Sequence, residues 1–207
     1  MSSHHIVRDE QEPALLIIDQ NALLYAEIQP LLEWVPTVIV SEDVLPVVIG
    51  WQIKIDCVIC RKAHIEQIRD ELIDQEPYSI ITLDAAGDSF TPAFDFLMAK
   101  GYTAVNVVSS FENNLPAKLE KWTDKLNLVI YSYGFKWVLA KGRFRKWVNT
   151  GQEFSIFSSQ ELKFSTQGFQ HDLSSNSVAN SNPLKAKEAS HIEISADGSF
   201  WLGEKIY

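Results

Sequence analysis

Short apolar runs alternate with amphipathic stretches over the first 122 residues, a pattern typical of buried strands alternating with helices. The apolar runs predict strands at 14–18, 37–40, 53–59, 78–83 and 104–108. The stretches between and after them predict helices at 22–32, 44–50, 64–75, 93–100 and 116–122. Because strands and helices alternate along the chain, we expect a mostly parallel sheet covered by helices on both faces.

The stretch 64–75 gives the clearest helical signal in this part of the chain. The apolar residues that share one face are Ile65, Ile68, Leu72 and Ile73. Charged residues occupy the opposite face, as expected for a helix that covers a sheet. The pattern therefore predicts one continuous helix with all four apolar side chains turned inward.

The pattern changes after about residue 124 to short runs rich in β-branched and aromatic residues. These runs predict strands at 126–131, 135–139, 144–148, 153–157, 161–165, 190–195 and 199–203. The turn residues predicted to separate them include Gly134, Gly142, Gly151 and the pair Asp197–Gly198. We expect an antiparallel β-sandwich here, and therefore two domains, an α/β domain at 12–122 and a β-sandwich at 125–207.

Charge is distributed unevenly between these two parts. The 207-residue chain has a net charge of −9. Residues 1–122 hold 19 acidic and 8 basic residues, whereas residues 123–207 hold 8 acidic and 10 basic ones. An acidic protein is a poor match for nucleic acid, since that binding depends on cations that meet phosphates. We therefore expect no nucleic-acid partner.

The composition favours a soluble protein of a reducing compartment. The longest apolar run, 44–51, contains Pro46 and is far too short to span a membrane. The start of the chain, residues 1–13, is polar and contains no apolar h-region, so we expect no signal peptide. Two cysteines are too few for a disulfide framework. These features predict a cytoplasmic protein with no membrane contact.

Two clusters in the first part have both a chemical and a structural interpretation. Cys57 and Cys60 with His64 suggest zinc, but three ligands are one too few, and buried free cysteines are the better interpretation. Arg61 and Lys62 suggest a phosphate site, and the alternative interpretation is that they are solvated residues at the start of a helix. We predict no metal site at this corner.

Acidic residues in the stretch 84–95 also allow two interpretations. Asp84, Asp88 and Asp95 are candidates for a residual acidic site. Asp88 is equally well explained as the cap of the helix that contains Pro92.

A ligand-binding loop is one interpretation of the stretch 165–173, STQGFQHDL, together with the later pair Ser181–Asn182. The alternative is that Ser181–Asn182 form a turn before the next strand. Trp137, Trp147 and Trp201 alternate with polar residues in the predicted strands, which indicates core or interface positions.

The C-terminal pattern resembles the thiamine pyrophosphokinase family. That family's loop is matched by Thr166 and Gly168, followed by an aromatic residue, a polar one, another aromatic and then Leu173. The pair Ser181–Asn182 follows at the expected distance. The stretches 94–102 and 128–142 also resemble family segments. The resemblance implies an α/β domain followed by a β-sandwich, a homodimer, and transfer of pyrophosphate from ATP to thiamine with Mg²⁺. It places the substrate-binding residues at Phe169, Gln170, His171, Ser181 and Asn182.

The family's metal-binding acids are replaced in this chain. The register of the resemblance puts Arg61 and Ala63 where the family has two aspartates, and Glu42–Asp43–Val44 where it has Asp-Gly-Gly. Mg²⁺ needs oxygen ligands and would be repelled by Arg61. The main prediction is a catalytically impaired member with a thiamine-like small-molecule site and no required cofactor.

Two alternatives stay open beside this prediction. The first is an active kinase that uses Mg²⁺ and ATP, with acids drawn from Glu42, Asp43, Asp84 and Asp88. The second is a structural or partner-binding dimer without a ligand. Because a fold does not fix a function, the site must decide among the three.

Overall fold

The computed structural model describes residues 10, 12–22, 25–83, 88–111, 115–174, 176–177 and 183–206, without the side chains of 176–177. The chain divides into two compact units. The first holds the described residues up to Ser110 together with Lys125–Leu128, and the second holds the described residues of Phe111–Asp124 and those from Val129 onward. The domain limits 12–122 and 125–207 stay a prediction.

The first unit is built on a parallel sheet. Its strands are β1 (Ala14–Ile17), β2 (Val38–Ser41), β3 (Cys57–Arg61), β4 (Ser79–Leu83) and β5 (Ala104–Val108). They lie in the order β5–β1–β2–β3–β4, with every pair parallel. Chain order therefore reverses at β1, whose two neighbours are β2 and β5.

Helices connect these strands. They are α1 (Tyr25–Leu32), α2 (Leu45–Gly50), α3 (Ile65–Glu71) and α4 (Phe90–Ala99). Strands β1 and β2 are buried at every position because both faces of a parallel sheet are covered. This burial explains why their sequences are continuous apolar runs rather than alternating ones.

The predicted helix 64–75 was wrong in its length and in one buried residue. Helix α3 ends at Glu71, and a separate 3₁₀ turn covers Ile73–Gln75. Leu72 has φ −106° and ψ 16°, and its carbonyl accepts from the Gln75 N–H at 2.8 Å. A 3₁₀ turn rotates side chains further per residue than an α-helix, so the Ile73 side chain leaves the apolar face and is 71% exposed.

The second unit contains helix α5 (Leu115–Glu120) and antiparallel strands. The strands are β6 (Asn127–Ser132), β7 (Phe135–Val148), β8 (Glu153–Phe157), β9 (Lys163–Gln167), β10 (Asn176–Ser177), β11 (Leu184–Lys185) and β12 (Ser190–Lys205). Strand β6 belongs to this unit only from Val129. The α/β-plus-β fold class predicted from the sequence is confirmed.

Two long strands, β7 and β12, form the framework of the second unit. They pair with each other from Ser190↔Val148 to Lys205↔Phe135. The first half of β12 also pairs with β9, and the second half pairs with β8. The ribbon thus contributes to both layers of a sandwich, and its core includes Phe154, Phe164 and Phe200, each at most 1% exposed.

The predicted breaks within this ribbon were wrong. Strand β7 continues through Gly142, and β12 continues through Asp197–Gly198 with only a shift of register between Ser195 and Ser199. The Asp197 carboxylate accepts the Lys163 N–H at 3.0 Å, which ties the irregularity to β9. A β-bulge, rather than a hairpin turn, accounts for the turn-forming residues here.

Trp137 and Trp201 lie in the interior of this unit, with 8% and 0% of their surface exposed. Phe111 stacks on Trp137 at a centroid distance of 4.0 Å. Trp147 instead is 54% exposed. Core positions are therefore confirmed for two of the three tryptophans, and an interface role for Trp147 stays a prediction.

Within the described residues, no helix combines the length and the apolar character needed to cross a membrane.

Candidate functional site

Several polar residues of the first unit lie at the carboxyl edge of the parallel sheet. In open α/β sheets, ligands bind outside the carboxyl ends of the strands where chain order reverses. That position lies between β1 and β5, which are followed by Asp19 and Ser110. The Ser110 hydroxyl donates to the Asp19 carboxylate, whose other oxygen accepts the Asn21 N–H at 2.9 Å.

Neither Asp19 nor Ser110 was predicted as a site residue. The available signal was positional, because each residue follows the end of an apolar run that predicts a strand. Which runs become neighbours depends on strand order, and the sequence alone did not provide it.

Glu42, the residue after β2, forms the centre of a second cluster on the same edge. One carboxylate oxygen accepts the Arg61 N–H at 3.1 Å and pairs with His64 Nδ1 at 2.9 Å. The other oxygen accepts from Arg61 Nε. The Glu42 side chain is 9% exposed, against 55% for Arg61 and 40% for His64. Both carboxylate oxygens therefore already have partners.

The electrostatics of Glu42 agree with this geometry. Burial by itself raises the pKa of Glu42, but the hydrogen bonds from His64 and Arg61 outweigh it and hold the pKa below its ordinary value of 4.5. The carboxylate is thus ionised at neutral pH, and the Arg61 guanidinium neutralises it. A metal ion would have to compete with Arg61 for both oxygens.

The other candidate acids have different surroundings. Asp43 is 81% exposed and lies 3.9 Å from the Arg61 guanidinium. Asp88 caps helix α4, since its carboxylate accepts the N–H groups of Phe90 and Thr91, both at 2.9 Å. The capping interpretation of Asp88 is confirmed. Asp84 lies outside the described residues.

A shallow depression of about 160 Å³ adjoins the Glu42 cluster. Its lining includes Glu42, Asp43, Pro46, Arg61, His64, Gln67, Ile68 and Glu71. Ligand pockets usually measure about 300–1,000 Å³, so this depression within the first unit is small for a nucleotide.

The two cysteines behave as predicted for buried free thiols. Both Cys57 and Cys60 are buried and free. Burial raises the pKa of Cys57 to about 12, with smaller contributions from the charges of Asp56 and Cys60. A thiol with such a pKa stays protonated at neutral pH, which makes it a poor nucleophile and metal ligand.

The loop of residues 166–173 in the second unit is organised by Asp172. Its carboxylate accepts from the Thr166 hydroxyl at 3.1 Å and from the N–H groups of Gly168 and Phe169 at 3.3 and 3.1 Å. The Thr166 hydroxyl in turn accepts the Leu173 N–H at 2.7 Å. Asp172 was not predicted as important, although an aspartate near backbone N–H groups is a common turn signal.

The predicted substrate residues of this loop divide into one buried and two exposed side chains. Phe169 is 2% exposed and packs edge-on against Phe154, so a ligand could reach its ring only if the core opened. Gln170 and His171 are exposed. Ser181 and Asn182 lie outside the described residues. Ligand contact stays a prediction for all five.

Comparison with known proteins gives a result at the level of structure only. No protein-family model and no curated protein matches this sequence. Among solved structures, thiamine pyrophosphokinase from Bacillus subtilis is similar with a TM-score of 0.68 and 10% identity, over 94% of this chain and 99% of that one. Thiamin pyrophosphokinase from Geobacillus thermodenitrificans reaches a TM-score of 0.70 and 8% identity, over 93% and 97%.

A third similar structure is thiamin pyrophosphokinase from Candida albicans, with a TM-score of 0.69 and 9% identity over 94% of this chain and 90% of that one. These matches cover nearly the whole length of both chains, so they include the α/β part and the antiparallel part alike. The chain therefore has the fold of the thiamine pyrophosphokinases.

Proposed function

We propose that this chain is a thiamine pyrophosphokinase-like protein in which transfer of pyrophosphate from ATP to thiamine is absent or very slow. We propose further that it keeps a site for a thiamine-like small molecule. The observation that carries the first part is the environment of Glu42. Its oxygens are occupied by Arg61 and His64, at the sheet edge where a metal–nucleotide complex would be bound.

Pyrophosphate transfer needs a cation to neutralise the phosphates, and Mg²⁺ takes oxygen ligands. Arg61 stands where the family resemblance places a metal-binding acid, and its side chain is more than half exposed. An arginine in the place of an acid presents a positive charge where a metal ion would need a negative one. Asp88, another candidate acid, is used as a helix cap.

The loop of residues 166–173 supports the second part of the proposal. Asp172 fixes its backbone, so the exposed side chains of Gln170 and His171 project from an ordered support. An amide and an imidazole offer both donors and acceptors, which suits a polar heterocycle. Because the support is made by the loop itself, it does not depend on the altered acids of the first unit.

A turnover assay with thiamine, ATP and Mg²⁺ tests the loss of catalysis. We expect no product at ordinary enzymatic rates. Turnover of about 1 per second or faster would contradict the proposal and favour the active-enzyme alternative. The double variant Arg61→Asp/Ala63→Asp sharpens the test, because both side chains are exposed and the change restores two acids. It should increase Mg²⁺-dependent binding of ATP.

Thermal shift with thiamine, thiamine diphosphate and ATP–Mg²⁺ tests the small-molecule site. A ligand at 100 times its Kd stabilises the folded state by about 2.7 kcal/mol, which is easily detected. We expect thiamine or its diphosphate to stabilise the protein, and Gln170→Ala or His171→Ala to weaken that effect. Gln160→Ala, another exposed glutamine of the second unit, is the matched control.

The absence of a shift with all three ligands would contradict the retained site and favour a partner-binding dimer. If thiamine binds equally well to the wild type, Gln170→Ala and His171→Ala, the site lies elsewhere.

A further inference from the structure

Three loops of the first unit lie side by side where strands β2, β3 and β4 begin. They cover residues 33–37, 51–56 and 72–78, and each follows one of the helices α1, α2 and α3. Strands β1 to β4 are neighbours in chain order, and crossovers between parallel strands are right-handed, so these three helices lie on the same face of the sheet. The loops therefore form one row, at the opposite end of the strands from Glu42.

Hydrogen bonds join the three loops to one another. The Val38 N–H donates to the Asp56 carboxylate at 2.8 Å, and the Asp56 N–H donates to the Val38 carbonyl at 3.0 Å. Lys54 Nζ donates to the carbonyls of Gln75 and Pro77, the latter at 2.8 Å. The row is therefore one continuous surface, which we call the amino-edge surface.

The amino-edge surface exposes large apolar side chains. Trp34 is 71% exposed, Val35 83% and Ile73 71%. Within the part of the chain that the structure describes, these are the three most exposed large apolar side chains. Exposed apolar residues of a monomer are ordinarily scattered singly, whereas a group of them marks an interaction site.

The backbone of this surface is strained in two of its three loops. Three non-glycine residues of the described chain have positive φ, and two of them are Val35 at +50° and Gln52 at +57°. A β-branched residue is rarely found in that conformation. Because Val35 is exposed, core packing does not account for a valine there. Strained positions cluster at binding sites, which agrees with an interaction surface.

The charges beside the exposed apolar residues are mainly negative. Glu33, which precedes Trp34, is exposed. The exposed acids that flank Ile73 are Asp70, Glu71, Asp74 and Glu76. Arg69 lies in the same stretch and is paired with Glu66 at 3.1 Å. The surface therefore offers apolar contacts bordered by negative charge.

A groove of about 510 Å³ adjoins the third loop. It is lined by Arg69, Glu76, Pro77, Tyr78 and Ile80. Long basic side chains bury their apolar stems along such walls and keep the charged end at the surface. Glu76 supplies an acceptor for that charged end.

We propose that the amino-edge surface binds a basic amphipathic segment of another protein, whose apolar side chains contact Trp34, Val35 and Ile73. Charge complementarity selects this occupant, because the partner's lysines or arginines meet the bordering acids. A second copy of this chain, with its net charge of −9, would bring acids against acids, and an anionic membrane would be repelled for the same reason. The proposal does not depend on the ligand site above.

Fluorescence anisotropy with a labelled peptide tests the proposal on the full chain. The probe is a synthetic helix-forming peptide of leucine and lysine, with its leucines on one face. A peptide of the same composition in scrambled order lacks that face. We expect the wild type to bind the first peptide about tenfold more tightly than the second, and more weakly as salt increases. Equal binding of the two peptides, or binding of neither, would overturn the proposal.

Substitutions locate the surface. Trp34→Ser and Ile73→Ser should each weaken peptide binding about tenfold, as expected for buried apolar anchors. Trp147→Ser, at the exposed tryptophan of the second unit, is the matched control and should bind like the wild type. Asp74→Lys should also weaken binding, whereas Glu161→Lys makes the same charge change at an exposed position of the second unit and should have little effect. Equal losses in test and control variants would overturn the assignment.

Val35→Asn gives a second readout from the strained backbone. Asparagine tolerates the left-handed conformation better than valine, so this variant should unfold at a higher temperature than the wild type. It should also bind the peptide less tightly, because an apolar contact is lost. A lower unfolding temperature with unchanged binding would mean that Val35 serves the fold alone, and the proposal would fail.

Hydrogen exchange on the wild type decides the case of a variant that circular dichroism shows to be unfolded. The leucine–lysine peptide should slow exchange at the amides of 33–37 and 72–76 and leave the second unit unchanged. Protection confined to the second unit would overturn the proposal. Phosphatidylglycerol vesicles should not bind, and vesicle binding without peptide binding would replace the protein partner with a membrane.

Discussion

The Glu42 cluster of the first unit and the Asp172 loop of the second unit are both centred on a carboxylate that the protein itself saturates. Their partners differ in kind and in distance along the chain. Glu42 is bound by Arg61 and His64, which are 19 and 22 residues away. Asp172 is bound mainly by backbone N–H groups and a hydroxyl within six residues.

This difference separates an electrostatic arrangement from a local one. The Glu42 cluster depends on charges, so pH and salt should change its contribution to the free energy of unfolding. The Asp172 loop depends on backbone geometry, so its contribution should follow glycine conformation and turn chemistry instead. The second arrangement also explains a pattern that resembles a binding motif, because Thr166, Gly168 and Asp172 are each required by the loop's own structure.

The largest effect is expected from Gly168→Ala, which tests the geometry of the loop. Gly168 has φ +94°, and an added Cβ would lie 3.0 Å from the His191 carbonyl oxygen and 3.3 Å from Ile192 Cγ2. The left-handed backbone and the steric contact together should cost about 3 kcal/mol of unfolding free energy. Urea unfolding measures this loss.

Gly142→Ala is the matched control for this substitution. Gly142 has φ +69° but nothing within 4 Å of an added Cβ, so only the conformational cost of about 1 kcal/mol should appear. Equal losses for the two variants would show that the loop is not tightly packed against β12.

Asp172→Ala should have the next largest effect. It removes the acceptor for two backbone N–H groups and one hydroxyl on an exposed loop, which should cost about 1–2 kcal/mol. Hydrogen exchange should show faster exchange at Gly168 and Phe169 while the core strands keep their protection. An unchanged exchange rate at these two amides would contradict the assigned role of Asp172.

The pH dependence of Glu42→Gln tests the opposite side of the comparison. Because the folded pKa of Glu42 is below 4.5, its contribution is complete above that unfolded value and is lost as pH falls through the folded pKa. At neutral pH we expect the free energy of unfolding of the wild type to exceed that of Glu42→Gln by about 1 kcal/mol. The value is small because Arg61 and His64 are partly solvated.

Unfolding midpoints measured from about pH 7 to about pH 3 should show this difference shrink toward zero. Asp43→Asn, at an 81% exposed position beside the same arginine, should show little difference at any pH. A wild-type advantage that grows on acidification would contradict the direction of the Glu42 pKa shift.

The sequence predicted what depends on local pattern and missed what depends on long-range pairing. Alternating apolar runs were sufficient for the α/β part, and capping chemistry supplied one of the two interpretations of Asp88, the one that the structure confirms. The position of Ile73 was missed because a 3₁₀ turn replaces the last helical turn. The bulge at Asp197–Gly198 was missed because a turn signal and a bulge signal use the same residues.

The candidate site shows the same division. The family resemblance led to the prediction that Arg61 replaces an acid. The contact of Arg61 with Glu42 joins the ends of β2 and β3 and follows from their pairing. The link between Asp19 and Ser110 spans 91 residues and depends on β5 lying beside β1. No short-range pattern contains either contact.

The smallest expected effect is a difference between two coupling energies, and it separates the two regions most directly. A double-mutant cycle on Glu42 and Arg61 should give a coupling of about 0.5–1 kcal/mol, since one partner is half-exposed. A cycle on Thr166 and Asp172 should give a similar value from their 3.1 Å hydrogen bond. At 1 M salt the Debye length falls to about 3 Å, so the first coupling should drop markedly while the second changes little. Equal salt sensitivity in both cycles would show that the loop is also held electrostatically, and the distinction between the two carboxylates would then fail.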